Sequence, residues 1–142
     1  MSGNYFEVGI ALIEHLRAKA DEWGVNHIGM ASSINSINKQ ITPAIYVVNT
    51  ANNPVDIVAG TASLDLQQWT VVIAVSEQSA QTDVIELMRA SGELISNVIN
   101  YVQGFEIDDY HAPLERAGTA GRPQYFSTFA LYPFTFQTKI QP

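Results

Sequence analysis

Two periods run through this chain. A run apolar on both parities, Trp69 to Val75, carries the β-branched stretch Thr70-Val71-Val72-Ile73. Neither parity is wet, which predicts a central strand covered on both faces, or covered by helices on one side and by a partner on the other. Upstream, Leu64 and Leu66 alternate with Asp65 and Gln67, and this end of the strand is expected to emerge half-exposed. A 3.6-residue period appears instead over Tyr5–Trp23, with Phe6, Gly9, Ile10, Leu12, Ile13, Leu16, Ala20 and Trp23 on one side, and predicts a helix. Asn4 or Gly3 caps its start, and Gly24 stands where a left-handed residue closes a helix. The same period returns over Ser79–Val102, through Val84, Leu87, Met88, Ser91, Ile95, Val98 and Val102. Ser79 or Thr82 is its expected cap, and Gly104 its end. Gly92 costs about 1 kcal/mol relative to alanine inside a helix. Ser91-Gly92 therefore marks either close packing on the sheet or a tolerated weak point.

Strand signals fill most of the remainder. Val25–Ala31 reads as a short strand. Residues 32–42 are polar but space Ile34, Ile37 and Ile41 by three and four, which fits an amphipathic turn or an arm that orders against a partner. Pro43–Asn49 is a clear strand, Asn52-Asn53-Pro54 a turn signal, and Val55–Ala59 a shorter returning strand broken by Gly60. Strands joined by short turns predict an antiparallel meander. Residues 105–123 are irregular, opening on a short strand at Phe105–Ile107. Gln124–Ile140 is the final strand, rich in aromatics (Tyr125, Phe126, Phe129, Tyr132, Phe134, Phe136) and interrupted by Pro133, which implies an edge, a bulge or two halves. The sum is an α+β domain over residues 1–142, a largely antiparallel sheet of about four to five strands packed by two main helices.

Composition narrows the function. Charged residues make up 15% of the chain against about 25% for ordinary domains, a surface suited to contact with other proteins. The net charge of −7 and the lack of any basic run disfavour sequence-specific nucleic-acid binding. With no cysteine, disulfides, thiolate metal sites and cysteine nucleophiles are excluded. Met1–Asn4 lacks the pattern of a secretion signal, and no apolar run approaches the ~20 residues of a membrane span. The best polar constellation is Asp108, Asp109, His111 and Glu115, but its spacing matches no defined metal loop, and a solvated acidic loop is the plainer reading. No Gly-x-Ser-x-Gly elbow and no phosphate-binding glycine loop occur. Glu14 and His15 are adjacent on a helix, so their side chains diverge. No enzyme, metal or cofactor is expected.

The order of these pieces resembles the tail terminator (tail completion) proteins of long-tailed bacteriophages and prophages, the group of the lambda-type minor tail protein U. The resemblance rests on the N-terminal helix with Ile13 and Leu16, the strand Pro43-Ala44-Ile45-Tyr46-Val47, the segment Gln68–Val75, the long helix with Ser91-Gly92, and the aromatic end Ala130-Leu131-Tyr132-Pro133-Phe134-Thr135-Phe136. It implies a small α+β fold and a homo-oligomeric ring, a hexamer, that caps the finished tail tube and joins tail to head. The implied partners are further copies of the chain, the tail tube protein and a head–tail connector, with assembly in the host cytoplasm and residence in the virion tail. Segments 32–42 and 105–123 then become contacts to neighbours. Asp108, Asp109, Arg116 and Arg122 are the candidate interface residues, since charges on a long loop set the register between subunits. The acidic excess suits a channel wall along which DNA slides, because like charge repels phosphate. The alternatives are another tail-tube or connector-type subunit, or a metal-dependent enzyme using the 105–123 loop.

Overall fold

The computed structural model describes residues 4–37, 41–58, 62–76, 84–108, 111–118, 121–126 and 129–142. In chain order the elements are helices α1 (Glu7–Arg17) and α2 (Ala20–Trp23), strand β1 (His27–Met30), a 3₁₀ turn (Ile34–Ser36), strands β2 (Ala44–Val58) and β3 (Ala62–Ser76), helix α3 (Val84–Val102), and strands β4 (Glu115–Arg116), β5 (Gln124–Tyr125) and β6 (Phe129–Ile140). All six strands form one sheet, ordered β1-β2-β3-β6-β4, with β5 also pairing β6. Only β1–β2 is parallel; the other pairings are antiparallel. The expected α+β class holds, and β3 is the central strand.

The expected turn at Asn52-Asn53-Pro54 does not form. The two predicted strands are one, β2, which pairs with β3 from Ala44↔Ala74 to Val58↔Ala62. Asn and Pro are absorbed by two irregularities, between Asn49 and Ala51 and between Pro54 and Asp56. Parity explains why proline is tolerated. The Val47 carbonyl accepts from the Ala31 N–H at 3.0 Å, so odd positions of β2 point towards β1. The extra residue after Asn49 exchanges the parities, and Pro54, opposite Asp65, turns its missing N–H outward, beyond the reach of β1.

Pro133 obeys the same rule in β6. It lies opposite Val72, a residue whose backbone groups serve β2, so the proline's own groups face away from β3. On that outer side β5 covers Ala130 and Leu131 and β4 covers Phe136 and Gln137. Pro133 falls in the gap between them, and β6 runs through unbroken. The final strand thus begins at Phe129, with Gln124–Tyr125 folded back on it. No strand forms at Phe105–Ile107.

Two cores sandwich β3. On the helix side Trp69, Val71, Ile73 and Val75 meet Val8, Leu12 and Leu16 of α1 and Leu94, Val98 and Val102 of α3. On the other side Val72 and Ala74 join Tyr46, Val48, Phe129 and Leu131 beneath Ile34, Ile37 and Ile41. The chain therefore covers the second face with its own 3₁₀ turn, whose isoleucine spacing was legible in the sequence. Past Thr70 this face becomes polar. Thr50, Thr70 and Thr135 link through their hydroxyls at 3.1 and 2.9 Å. In the next row Gln68 donates to Gln137 at 3.3 Å, and Gln137 donates to Glu115 at 3.0 Å.

The long N-terminal helix is two helices. The Lys19 N–H reaches back only three residues, to the Leu16 carbonyl at 3.0 Å, and α1 ends there. Gly24 closes α2 with φ 67°, as expected. At the start of α1, the Asn4 side chain accepts from the Phe6 N–H at 2.9 Å. The proposed caps of α3 lie outside the described residues. Gly92 does not mark close packing, because a Cβ there would meet nothing within 4 Å; Ser91, the buried member of the pair, faces the sheet. Close packing occurs at Gly9, where an added Cβ would overlap Cη2 and Cζ3 of Trp69.

These two glycines predict opposite outcomes. Gly92→Ala should stabilise the protein by up to ~1 kcal/mol through helix propensity. Gly9→Ala should destabilise it by ~1–3 kcal/mol, because the buried indole has nowhere to go. Urea unfolding midpoints of the two variants check both signs.

Candidate functional site

The irregular segment after α3 is anchored to its own sheet. Gly104, at φ 86°, ends the helix in the left-handed region. Its N–H donates to the Leu114 carbonyl at 2.7 Å, and the Leu114 N–H donates to the Phe105 carbonyl at 3.0 Å, closing the loop at its base. Thr138 Oγ1 donates to the Ala112 carbonyl at 2.6 Å, and Leu114 is buried. From below, the His15 ring of α1 is held between Tyr101 and Phe105, with centroid separations of 3.8 and 3.9 Å. Its Nε2–H donates to the Tyr101 carbonyl at 2.9 Å, which assigns the proton to that nitrogen. An apparently ordinary helix histidine thus fastens α1 to the end of α3.

The structure separates the polar constellation of the sequence. Asp108 Oδ1 accepts from the His111 N–H at 3.1 Å and lies 2.8 Å from His111 Nδ1, so this pair shapes the loop. Glu115 turns away to Gln137 on the sheet. Asp109 lies outside the described residues. Among the described residues no group of three His, Asp or Glu side chains is placed to share a metal ion. Arg116 and Arg122 do come together on one side of the molecule, the outer side of β6. Arg116 is exposed in β4 and lies over Phe134 and Phe136, 5.7 and 5.9 Å from their centroids. Arg122 is exposed just before β5, next to Gly121, which packs on Pro133.

A second polar feature lies where β3 leaves the helix layer. This end is half-exposed as expected, but its buried member is a polar residue. Leu64 and Leu66 are half-exposed, whereas Gln67 is fully buried in line with Trp69. The physical reason is continuity of the pleat: Trp69, Val71 and Ile73 face the helices, so residues 67 and 65 must too. Polar partners await them. Trp69 Nε1 donates to Gln67 Oε1 at 2.9 Å, and Gln67 Nε2 donates to the Tyr5 carbonyl at 3.1 Å. The Tyr5 hydroxyl donates to Asp65 Oδ2 at 2.8 Å. Burial, then the hydrogen bond and charge of Asp65, push the Tyr5 phenol up to about 12. Burial also raises Tyr46 above its ordinary value.

Arg116 and Arg122 were legible as charges on a long segment. Gln67, His15 and Gly9 were not, since each acts through a partner at least 60 positions away in sequence (Gly9 to Trp69 is 69 − 9), a relation that sequence spacing does not encode. No helix among the described residues is long and apolar enough to cross a membrane.

The raised phenol gives a pH dependence. Because the folded state holds the Tyr5 proton more tightly than the unfolded chain, its contribution is fully present below pH 10.0 and is lost as pH rises through about 12. Tyr5→Phe should weaken the protein at neutral pH by removing the bond to Asp65, yet show a shallower alkaline decline than the wild type. Urea midpoints measured from pH 8 to 12 test this.

Comparison with known proteins places these observations. The family described as phage tail terminator protein matches residues 1–142. No curated protein is significantly similar to the sequence. Among solved structures, a chain from the virion of a native gene transfer agent particle superposes with a TM-score of 0.61 at 10% identity, covering 92% of each chain. At that identity the superposition speaks for the fold alone.

Proposed function

Because the chain belongs to the phage tail terminator protein family, we propose that it closes into a homo-oligomeric ring, a hexamer, on the end of a finished tail tube. In this reading the chain acts as one structural domain. The ring stops addition of further tube subunits and presents the surface to which the head–tail connector binds. Assembly takes place in the host cytoplasm, and the ring stays in the virion tail. The role is structural rather than catalytic.

The observation that carries this reading is the match of the family along residues 1–142. The architecture is in keeping with it. A ring needs two unlike lateral surfaces on each subunit, and this sheet has them. One edge is the short strand β1, entered from α2; the other is the patchwork of β4 and β5 on β6. The small charged fraction suits repeated protein contact. The virion origin of the structural neighbour agrees with a particle component.

The test is assembly. Light scattering over a concentration series should show a closed multimer, in solution or on tube ends. Purified chain added to polymerising tail tube subunits should arrest elongation and decorate one end of each tube in electron micrographs. Tubes that elongate unchanged in its presence overturn the capping role, and incorporation along the tube wall would make it a tube subunit. Arg116→Ala with Arg122→Ala should leave thermal unfolding within about 0.5 kcal/mol of wild type, as expected of exposed sites, while weakening the multimer.

A further inference from the structure

The distribution of charge identifies which surfaces meet in such a ring. From residue 111 onward the chain holds Arg116, Arg122 and Lys139 against one carboxylate, Glu115. Every other side-chain carboxylate precedes that point, so this C-terminal stretch is basic in an otherwise acidic protein. The fold gathers this stretch into β4, β5 and β6, at one end of the strand order. The guanidinium of Arg122 is exposed and has no ion pair among the described residues.

The opposite end has the complementary character. Where α2 runs into β1, an open groove of about 220 Å³ separates α2 from α3, lined by Glu22, Trp23, Ala90, Glu93, Leu94 and Asn97. Glu22 and Glu93 are exposed in its lining, Trp23 is half-buried beside them, and Leu94 is buried. An arginine fits this combination well, because a guanidinium binds carboxylates in a planar fork and stacks on an indole. Lys19 lies over the Tyr101 ring, 5.4 Å from its centroid, and pairs with Glu22 at 3.5 Å in an exposed ion pair of the kind worth little. Glu93 remains for an incoming cation.

We propose that the α2–α3 groove of one copy receives the basic β4–β5 edge of the next copy, with Arg122 seated between Glu93 and Trp23. The proposal rests on the ring reading and specifies its contact. The occupant is a second copy because the complementary charge lies on the same chain, at the other end of the same sheet. A groove and an edge at opposite ends make a head-to-tail contact, which propagates in one direction and closes when the rotation between copies allows. An edge-to-edge contact would instead set like charge against like.

The experiment exploits the absence of cysteine, which leaves only engineered thiols to react. A chain carrying both Glu93→Cys and Arg122→Cys is assembled, treated with a short bis-maleimide linker and run on a denaturing gel. A ladder of dimer, trimer and higher species up to the ring is expected, while each single-cysteine variant gives none. Both sites are exposed, and circular dichroism confirms the fold of each variant. In a second arm, Arg122→Glu should abolish assembly at concentrations where the wild type assembles, and adding Glu93→Arg should restore it. A double-cysteine chain that assembles by light scattering yet yields no ladder overturns this contact and leaves the ring standing. Dimers from single-cysteine chains point to like-with-like contact and also overturn it. Wild-type chain that stays monomeric both in solution and on tube ends overturns the ring and the contact together.

Discussion

The packing of the Trp69 ring against Gly9 is the constraint on which the rest of this structure depends. The indole is almost entirely buried, and the helix can lie over it only because residue 9 has no side chain. That contact fixes the depth of α1 on the sheet, and the indole N–H must then be satisfied inside the protein. Gln67 does this, and its amide extends the bond to the Tyr5 backbone. One close approach thus ties together the start of the chain, the central strand and the point where the strand leaves the helix layer. Val71, Ile73 and Val75 continue the same face beneath α1 and α3.

The backbone manages its weak points by placing them where hydrogen bonds are not needed. Pro54 and Pro133 both sit in long strands, and both turn their missing donor to a side without a paired strand. The bulge after Asn49 is what allows the first, and the gap between β4 and β5 allows the second. The consequence is a pair of long strands, β2 and β3, that extend past the end of β6 at Ile140. Near that level the second face changes from apolar packing to linked threonines and glutamines. Such a face is satisfied without being greasy, which suits a surface that meets other proteins.

Charge asymmetry connects the fold to assembly. An acidic chain with a basic C-terminal stretch gains a direction once those residues are collected at one end of a sheet. In the proposed ring, head-to-tail pairing follows from unlike ends, and symmetric pairing is opposed by the same charges. Nothing in this scheme calls on the loop around Asp108, whose carboxylate is engaged with His111.

What the sequence by itself determined was local. The 3.6-residue stripes of α1 and α3, the apolar run of β3 and the packing of Ile34, Ile37 and Ile41 are each set by short-range periodicity, although the first stripe is divided between α1 and α2. Gly24 and Gly104 closed their helices because a left-handed residue is a local need. Arg116 and Arg122 were legible because charge on an irregular segment stays at the surface in nearly any fold. Tertiary structure decided whatever depends on a neighbour distant in sequence. Asn52-Asn53-Pro54 has turn chemistry, yet pairing along β3 on one side and an open edge on the other made it strand. Leu64 and Leu66 are the apolar members of their alternation, yet the parity imposed by Trp69 put Gln67 inside and left them half-exposed. The basic edge exists only once the sheet gathers β4, β5 and β6 together, and the α2–α3 groove only once α3 comes to lie beside α2.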